Sequence, residues 1–265
     1  MAAVRAVAVG GQEPAATPSR VPLFGIEIDA LDMAATVERC DELIRTGGYA
    51  QHMAINAAKA VMMEDDPKLR AIIRDCALVS ADGQAVVWAA RLLGTPLPER
   101  VAGIDLMHRL FELAEARGYS VFILGARQST LDIAVERLRA RHPSLELAGT
   151  RNGYFSDEEA PGVAETIRES RADIVLVAIS SPFKEHFLGR YGPALGAPFV
   201  MGVGGAIDVL AGVTRRAPRI WQRLGIEWLY RLLQEPRRMF KRYAISNVRF
   251  MILVARTKVA RARGA

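Results

Sequence analysis

Between Val21 and Val213, short apolar runs alternate with longer stretches in which apolar residues recur at helical spacing. This is the pattern of a mostly parallel sheet covered by helices. The runs Pro22–Ile28, His52–Ile55, Leu78–Ser80, Ser120–Leu124, Glu146–Gly149, Ile174–Ala178 and Phe199–Val203 predict strands. The stretches Ala30–Thr46, Gly83–Leu93, Gly103–Arg117, Ser129–Arg141 and Asp157–Ser170 predict helices. In Ser129–Arg141, for example, Leu131, Val135 and Leu138 share one side and Arg137, Arg139 and Arg141 stay in water. Asp65 and Asp66 precede a proline and read as a turn.

After Val213 the texture changes. Trp221, Leu224, Trp228 and Leu232 keep helical spacing until Pro236 interrupts it, and Ile245, Val248, Ile252, Ala255 and Val259 resume it. Arg242, Arg249, Arg256 and Arg263 recur every seven residues on a neighbouring stripe. Two or three basic amphipathic helices follow. They suit an anionic membrane surface; the alternative is a position packed on the domain with a solvated arginine face. The expected organisation is a flexible N-terminal tail over residues 1–20, an α/β core over 21–213 and a basic amphipathic appendage over 214–265.

Composition sharpens this picture in three places. A chain of 265 residues with 51% hydrophobic content buries a substantial core. The net charge of +6 is unevenly distributed. From Arg215 to Arg263 there are 14 Lys and Arg against Glu227 and Glu235, so this stretch carries +12 and the rest of the chain −6. An acidic core with Trp and Leu anchors in the basic tail favours lipid over nucleic acid. Cys40 and Cys76 lack metal-ligand spacing and read as free core residues of a protein in a reducing, cytoplasmic setting. No window offers the roughly 18 apolar residues of a spanning helix, since Arg249 and Arg256 bound the run between them. The expected location is therefore peripheral, on the inner face of the plasma membrane. The sequence leaves a homo-oligomer open.

Ligands of open parallel sheets collect beyond the carboxyl ends of the strands. Those positions read Asn56, Ala81-Asp82-Gly83, Gly125-Ala126-Arg127, Ser180-Ser181-Pro182 and Gly202-Val203-Gly204-Gly205. The last runs on through Ala206 and Ile207 to Asp208 as a strand-to-helix loop, suited to close approach of an anion or simply to a tight turn. It does not fit the dinucleotide fingerprint, because Ile207 stands where the third glycine belongs, and no Walker-type motif occurs. A nucleotide-binding oxidoreductase or sensor remains an alternative reading. Asp82 is placed either to cap the following helix or to act as a general base. Asp-x-Asp, which many transferases use to hold a metal, does not occur; Glu27-Ile28-Asp29 is the nearest approach. Charge developing on a leaving diphosphate would then fall to arginines, with Arg100 a candidate, and neither metal nor cofactor is expected.

Taken together, Asn56-Ala57, Ala81-Asp82-Gly83, Trp88-Ala89-Ala90-Arg91, the run Glu99 to Leu106, Gly153-Tyr154-Phe155, the run Gly202 to Asp208 and the run Glu227 to Arg238 resemble the WecG/TagA/CpsF glycosyltransferases over about residues 23–243. The resemblance implies a Rossmann-like α/β core with a C-terminal appendage. It also implies inverting, metal-independent transfer from a UDP-sugar to a polyprenyl-diphosphate-linked sugar acceptor. By similarity Asp82 falls on the catalytic base, and Asn56, Arg100, Tyr154 and Asp208 on the substrate pocket, beside the glycines Gly125, Gly202, Gly204 and Gly205. Arg231, Arg238 and Lys241 fall where the appendage engages the donor diphosphate. Two departures concern substrate identity. Ala54-Ile55-Asn56 stands for the usual Thr-Pro-Asn, and Ser181-Pro182-Phe183-Lys184-Glu185 carries Lys184 where the family has a glutamine. The pocket loses a hydroxyl and exchanges an amide for a cation, next to Glu185. The variant is similar to the branch that adds glucose in exopolysaccharide assembly, whereas N-acetylmannosamine-type transferases keep the usual pattern; a lysine also suits an acidic sugar.

Overall fold

The structure, a computed structural model, describes residues 19–264 apart from residues 224 and 235 and the side chains of 223, 231 and 237–244. Six parallel strands form the central sheet: β3 (Ala50–Ile55), β4 (Leu78–Ala81), β5 (Val121–Gly125), β6 (Leu147–Arg151), β7 (Ile174–Ala178) and β8 (Phe199–Gly202). Their spatial order is β4-β3-β8-β7-β5-β6. The chain begins with a separate antiparallel hairpin, β1 (Arg20–Leu23) and β2 (Ile26–Asp29). The single strand expected over Pro22–Ile28 is thus two, because Phe24 and Gly25 adopt φ of 53° and 75° and form a two-residue turn. The hairpin guards the sheet edge. The buried carboxylate of Asp29 accepts from Arg20 Nε at 2.9 Å and from the Val79 N–H of β4 at 2.7 Å.

Around the sheet lie α1 (Met33–Thr46), α2 (Ala57–Asp65), α3 (Pro67–Arg74), α4 (Gln84–Leu92), α5 (Gly103–Arg117), α6 (Gln128–Arg141), α7 (Ala160–Ser170), α8 (Phe183–Tyr191) and the short α9 (Ala206–Leu210). Helices α2, α3 and α8 occupy segments that the hydrophobic pattern left unassigned. Asp66 does not make a turn that ends structure. It caps α3, accepting from the Leu69 N–H at 2.9 Å, and Pro67 takes the first helical position, where a missing N–H costs nothing. Helix α8 escapes the pattern because Lys184 and Glu185 on its buried side are charged.

The alternation of strand residues divides the core between the two faces of the sheet. Ile174 and Leu176 of β7, with Phe199 and Met201 of β8, pack beneath residues of α5, α6 and α9. Val175, Val177 and Val200 point the other way, against α7 and α8. Cys40 and Cys76 are both buried and free.

The C-terminal segment comprises α10 (Arg219–Arg223), α11 (Glu227–Gln234) and the 29-residue α12 (Pro236–Gly264). Helix α12 docks on the core. Phe250, Leu253 and Val254 enter the cluster built on Leu23, Phe24 and Ile26, and the Phe250 ring meets Phe24 edge-on at 5.4 Å. Arg249 makes two 2.7 Å bonds to Asp65 of α2, and Arg261 donates to the carbonyls of Leu93 and Pro22. The docked face is therefore not the stripe picked out by spacing. Ile245, Val248, Ile252 and Val259, 45–51% exposed, face outward together with Ala255. Among the described residues no helix is long and apolar enough to cross a membrane.

Candidate active site

The carboxyl ends of β3, β4, β8 and β7 bring together the residues on which chemistry can be built. The Asp82 N–H donates to Ile55 O at 2.8 Å, so this residue prolongs the β4–β3 pairing before the chain turns. Gly83, at φ 148°, is the residue that precedes α4, and no side chain caps that helix. The helix-cap alternative for Asp82 therefore falls away. Its carboxylate is turned toward the Gly103 N–H at the start of α5 instead. Asp82 keeps some accessible surface, yet burial dominates its titration and raises its pKa above the usual carboxylate value; Arg100, the Gly103 N–H and Lys59 oppose the rise, and Glu227 adds to it.

Two neighbours are held by main-chain bonds. Val101 N–H donates to Ala81 O at 3.0 Å, which fixes Arg100 beside the end of β4. Asn56 caps α2, its Oδ1 accepting from the Lys59 N–H at 3.0 Å, and its Cβ lies 3.6 Å from where a Gly83 Cβ would stand. Arg100 Nη1 donates to Glu227 Oε2 of the appendage at 3.1 Å. Glu227 Oε1 is 3.8 Å from Arg216 Nε, and Arg216 closes on Asp105 with bonds of 2.6 and 2.7 Å. Two arginines and two carboxylates thus link the appendage to the end of β4 and the start of α5.

Behind Asp82 lies a second charged group. Glu185 is fully buried, and its Oε1 receives Lys59 Nζ at 2.8 Å, Lys184 Nζ at 3.4 Å and the Ser181 hydroxyl at 2.9 Å. Burial pushes Glu185 up, but Lys59 and Lys184 outweigh it and bring its pKa down to about 2. Burial and the neighbouring Lys59 depress Lys184 to about 8, against support from Glu185 and Asp82. His52 is buried and held down to about 3 by desolvation, Lys59 and Lys184; it is a neutral ring whose Nε2 lies 2.9 Å from Ser80 Oγ. Gly202 and Gly204 flank the Lys184 stem, and Asp208 Oδ2 lies 3.6 Å from a Cβ built at Gly205.

At the β5–β6 end of the sheet, Gly125 and Gly153 cross so closely that side chains are excluded. A Cβ on Gly125 (φ 141°) would meet Ala178 O at 2.4 Å, and one on Gly153 would lie 2.8 Å from Gly125 Cα. This crossing carries Tyr154 out to 66% exposure, where Arg127 Nε donates to its hydroxyl at 3.3 Å and the guanidinium lies over its ring. Strand spacing of about 4.8 Å puts Tyr154 roughly four or five strands along the sheet edge from Asp82. The expected residues therefore form one line across the strand ends, not a single cluster.

Arg231, Arg238 and Lys241 fall on α11 and α12, and their side chains lie outside the described residues. Lys59, Asp105, Arg216 and Glu227 were not singled out by sequence. Asp105 and Glu227 did lie within the motifs of the resemblance, and Lys59 follows Asn56 by one helical turn. Among the described residues no group of three His, Cys, Asp or Glu side chains could hold a metal ion.

The sequence model of the Glycosyl transferase WecG/TagA/CpsF family matches residues 21–264, nearly the whole chain. At the strand ends a carboxylate of raised pKa lies beside an arginine. The chain belongs to the WecG/TagA/CpsF family of glycosyltransferases.

Proposed function

We propose that the protein is an inverting, metal-independent hexosyltransferase. It moves a glucose or N-acetylmannosamine-type sugar from a UDP-sugar to a polyprenyl-diphosphate-linked sugar acceptor in bacterial exopolysaccharide or cell-envelope polysaccharide synthesis. The observation that carries this reading is Asp82, a carboxylate whose pKa burial raises, at the end of β4 beside Arg100. Inversion needs one base. As the acceptor hydroxyl attacks the anomeric carbon, its proton passes to a carboxylate oxygen of Asp82, the bond to the nucleoside diphosphate breaks, and the electron pair leaves with that group. A carboxylate raised toward neutral pH is a better proton acceptor than an ordinary one.

Asn56, Asp208 and the loop glycines Gly202, Gly204 and Gly205 line the strand ends between Asp82 and the Gly125–Gly153 crossing, where the donor's sugar and diphosphate would lie, and Tyr154 offers its ring to the nucleobase beyond. Arg100 and the appendage's Arg231, Arg238 and Lys241 meet the leaving diphosphate, a role supported by the +12 charge of that segment. The same segment holds the enzyme to the anionic inner face of the plasma membrane, where a lipid-linked acceptor resides. Support comes from the outward stripe of α12 and its exposed Arg256, Lys258 and Arg263. The decisive experiment is turnover of a UDP-sugar panel with polyprenyl-diphosphate-sugar acceptors, with and without chelator. Transfer of one hexose with inversion and undiminished by chelator is expected; no turnover, or turnover abolished by chelator, overturns the reading.

A further inference from the structure

Lys184 is 4% exposed, and its ion pairing is redundant. Glu185 Oε1 already holds Lys59 at 2.8 Å and the Ser181 hydroxyl, and Lys184 stands further off at 3.4 Å. Oε2 of the same carboxylate is buried without a hydrogen-bond partner, so it has not been turned to satisfy the second cation. Two ammonium groups share one carboxylate oxygen; the other carboxylate that acts on them, Asp82, makes no salt bridge to either, so Lys184 has no close anion to itself. The neutral His52 ring adds none. By contrast, Arg216 is matched by Asp105 through two bonds. A desolvated cation is costly unless an anion completes it.

The stem of Lys184 lies where the strand-end loop has been cut back to receive it. A Cβ at Gly202 would fall 2.6 Å from its Cε and 3.2 Å from its Nζ, and one at Gly204 would be 4.0 Å from Nζ. The ammonium is thus delivered to the glycine loop at the crevice, on the same side of the sheet edge as Asp82, whose field it feels. Near the start of α5, Ala54 has no hydroxyl to offer; a Cβ built at Gly103 would lie 3.7 Å from the Ala54 Cβ and 3.8 Å from Asp82 Oδ2.

We propose that Lys184 is a specificity-determining residue whose ammonium takes up an anionic oxygen of the substrate at the Gly202–Gly204 loop, either a carboxylate on the sugar or an oxygen of the donor diphosphate. Lys59 holds Glu185 in place; Lys184 is the cation left for the ligand. The assignment rests on the proposed transferase reading and goes beyond it by making the chemistry of the bound group ionic, not merely hydroxylic.

The test is calorimetric binding of uridine, UDP, UDP-glucose and UDP-glucuronate to the wild-type chain, Lys184→Gln and Lys184→Met, with turnover of both UDP-sugars by the wild type. If the ammonium reads a sugar carboxylate, the wild type binds UDP-glucuronate about 10- to 100-fold tighter than UDP-glucose, and both variants erase that difference while UDP binding holds. If it reads the diphosphate, both variants weaken UDP and both UDP-sugars about 10- to 100-fold and leave uridine unchanged. Affinities within twofold of wild type for all four ligands, in variants that unfold cooperatively, overturn the inference and leave the transferase reading standing. A wild type that neither binds nor turns over any UDP-sugar overturns both. Met preserves the stem, and Glu185 keeps Lys59 in either variant, so a fold defect confined to Gln leaves Met to decide.

Discussion

Arg100 and Glu227, 127 residues apart in the chain, meet at 3.1 Å beside Asp82, so that the first residue of α11 presses its carboxylate on the arginine nearest the candidate base. Their fields act on Asp82 in opposite directions, Arg100 lowering its pKa and Glu227 raising it. A base works only when deprotonated, so the acid limb of kcat/KM follows this pKa and lies above the ordinary carboxylate range. Glu227→Gln removes the raising charge and is expected to move that limb to lower pH; Arg100→Gln is expected to move it higher. Profiles of the three proteins, each measured with the same donor, check the pair of opposite shifts. Limbs displaced in the same direction would contradict this arrangement.

Asp82→Asn is nearly isosteric and keeps an acceptor for the Gly103 N–H. Loss of the proton acceptor is expected to lower kcat by about 10²- to 10⁴-fold, the usual worth of general base catalysis. Donor affinity and the melting transition should stay near wild type. Near-normal turnover would exclude Asp82 as the base.

Much of this was legible in the chain because burial and sequence agree. Ile174–Ala178 is a run of apolar residues with no competing signal, and its strand is fully buried. The end of β4 was legible for the same reason, and with it Asp82. Where the chain departs from simple patterning, reading failed for a physical cause. Phe24 at positive φ hides a hairpin turn in an apparently continuous strand. Lys184 and Glu185 hide the buried side of α8, since each is charged and neutralised only by tertiary partners. Glu227 looked like one acid in a basic tail, because its partners, Arg100 and Arg216, are brought to it by the fold. On α12 several apolar positions compete at helical spacing, and the Phe24–Phe250 contact decides which face turns inward.

Glu185→Gln should be strongly destabilising. It leaves Lys59 and Lys184 buried together with no carboxylate in contact and only the field of Asp82 against them, a loss of about 3–5 kcal/mol for a broken buried pair. The wild-type carboxylate, depressed from 4.5 to about 2, contributes stability that is fully present above pH 4.5 and is lost as pH falls toward 2. Lys184 adds a dependence of the same sign in a second, alkaline window. Depressed from 10.5 to about 8, it binds fewer protons folded than unfolded in that interval, so its contribution makes stability rise as pH climbs from 8 to 10.5. Urea unfolding of wild type, Glu185→Gln and Lys184→Met across pH reports both; the acid-side dependence should shrink in the first variant and the alkaline rise in the second.

Phe250→Ala tests whether α12 belongs to the folded core in solution. The ring is 6% exposed against Phe24, and its removal is expected to cost about 3 kcal/mol or more in urea unfolding. A helix that engages only an external surface would lose nothing measurable. Deleting residues 215–265 is expected to remove nearly all activity, but it also uncovers Phe24 and removes Glu227 from Arg100, so single substitutions separate the contributions better.

The outward face of α12 separates membrane attachment from self-association. Ile245, Val248, Ile252, Ala255 and Val259 follow alternating steps of three and four residues, a spacing that would also suit a coiled coil with a second copy. The flanking exposed positions Arg256, Lys258 and Arg263 are all basic, so two such faces brought together would repel each other, whereas an anionic lipid surface would attract every one of them. Since Phe250, Leu253 and Val254 turn the other way, a Val248→Glu/Ile252→Glu double variant alters the outer face without entering the core. Flotation with phosphatidylglycerol-containing vesicles is expected for the wild type, to weaken as salt screens the arginines, and to be lost in the double variant while its urea midpoint is retained. Loss of a dimer in sedimentation, with flotation unchanged, would instead assign the stripe to a second copy of the chain.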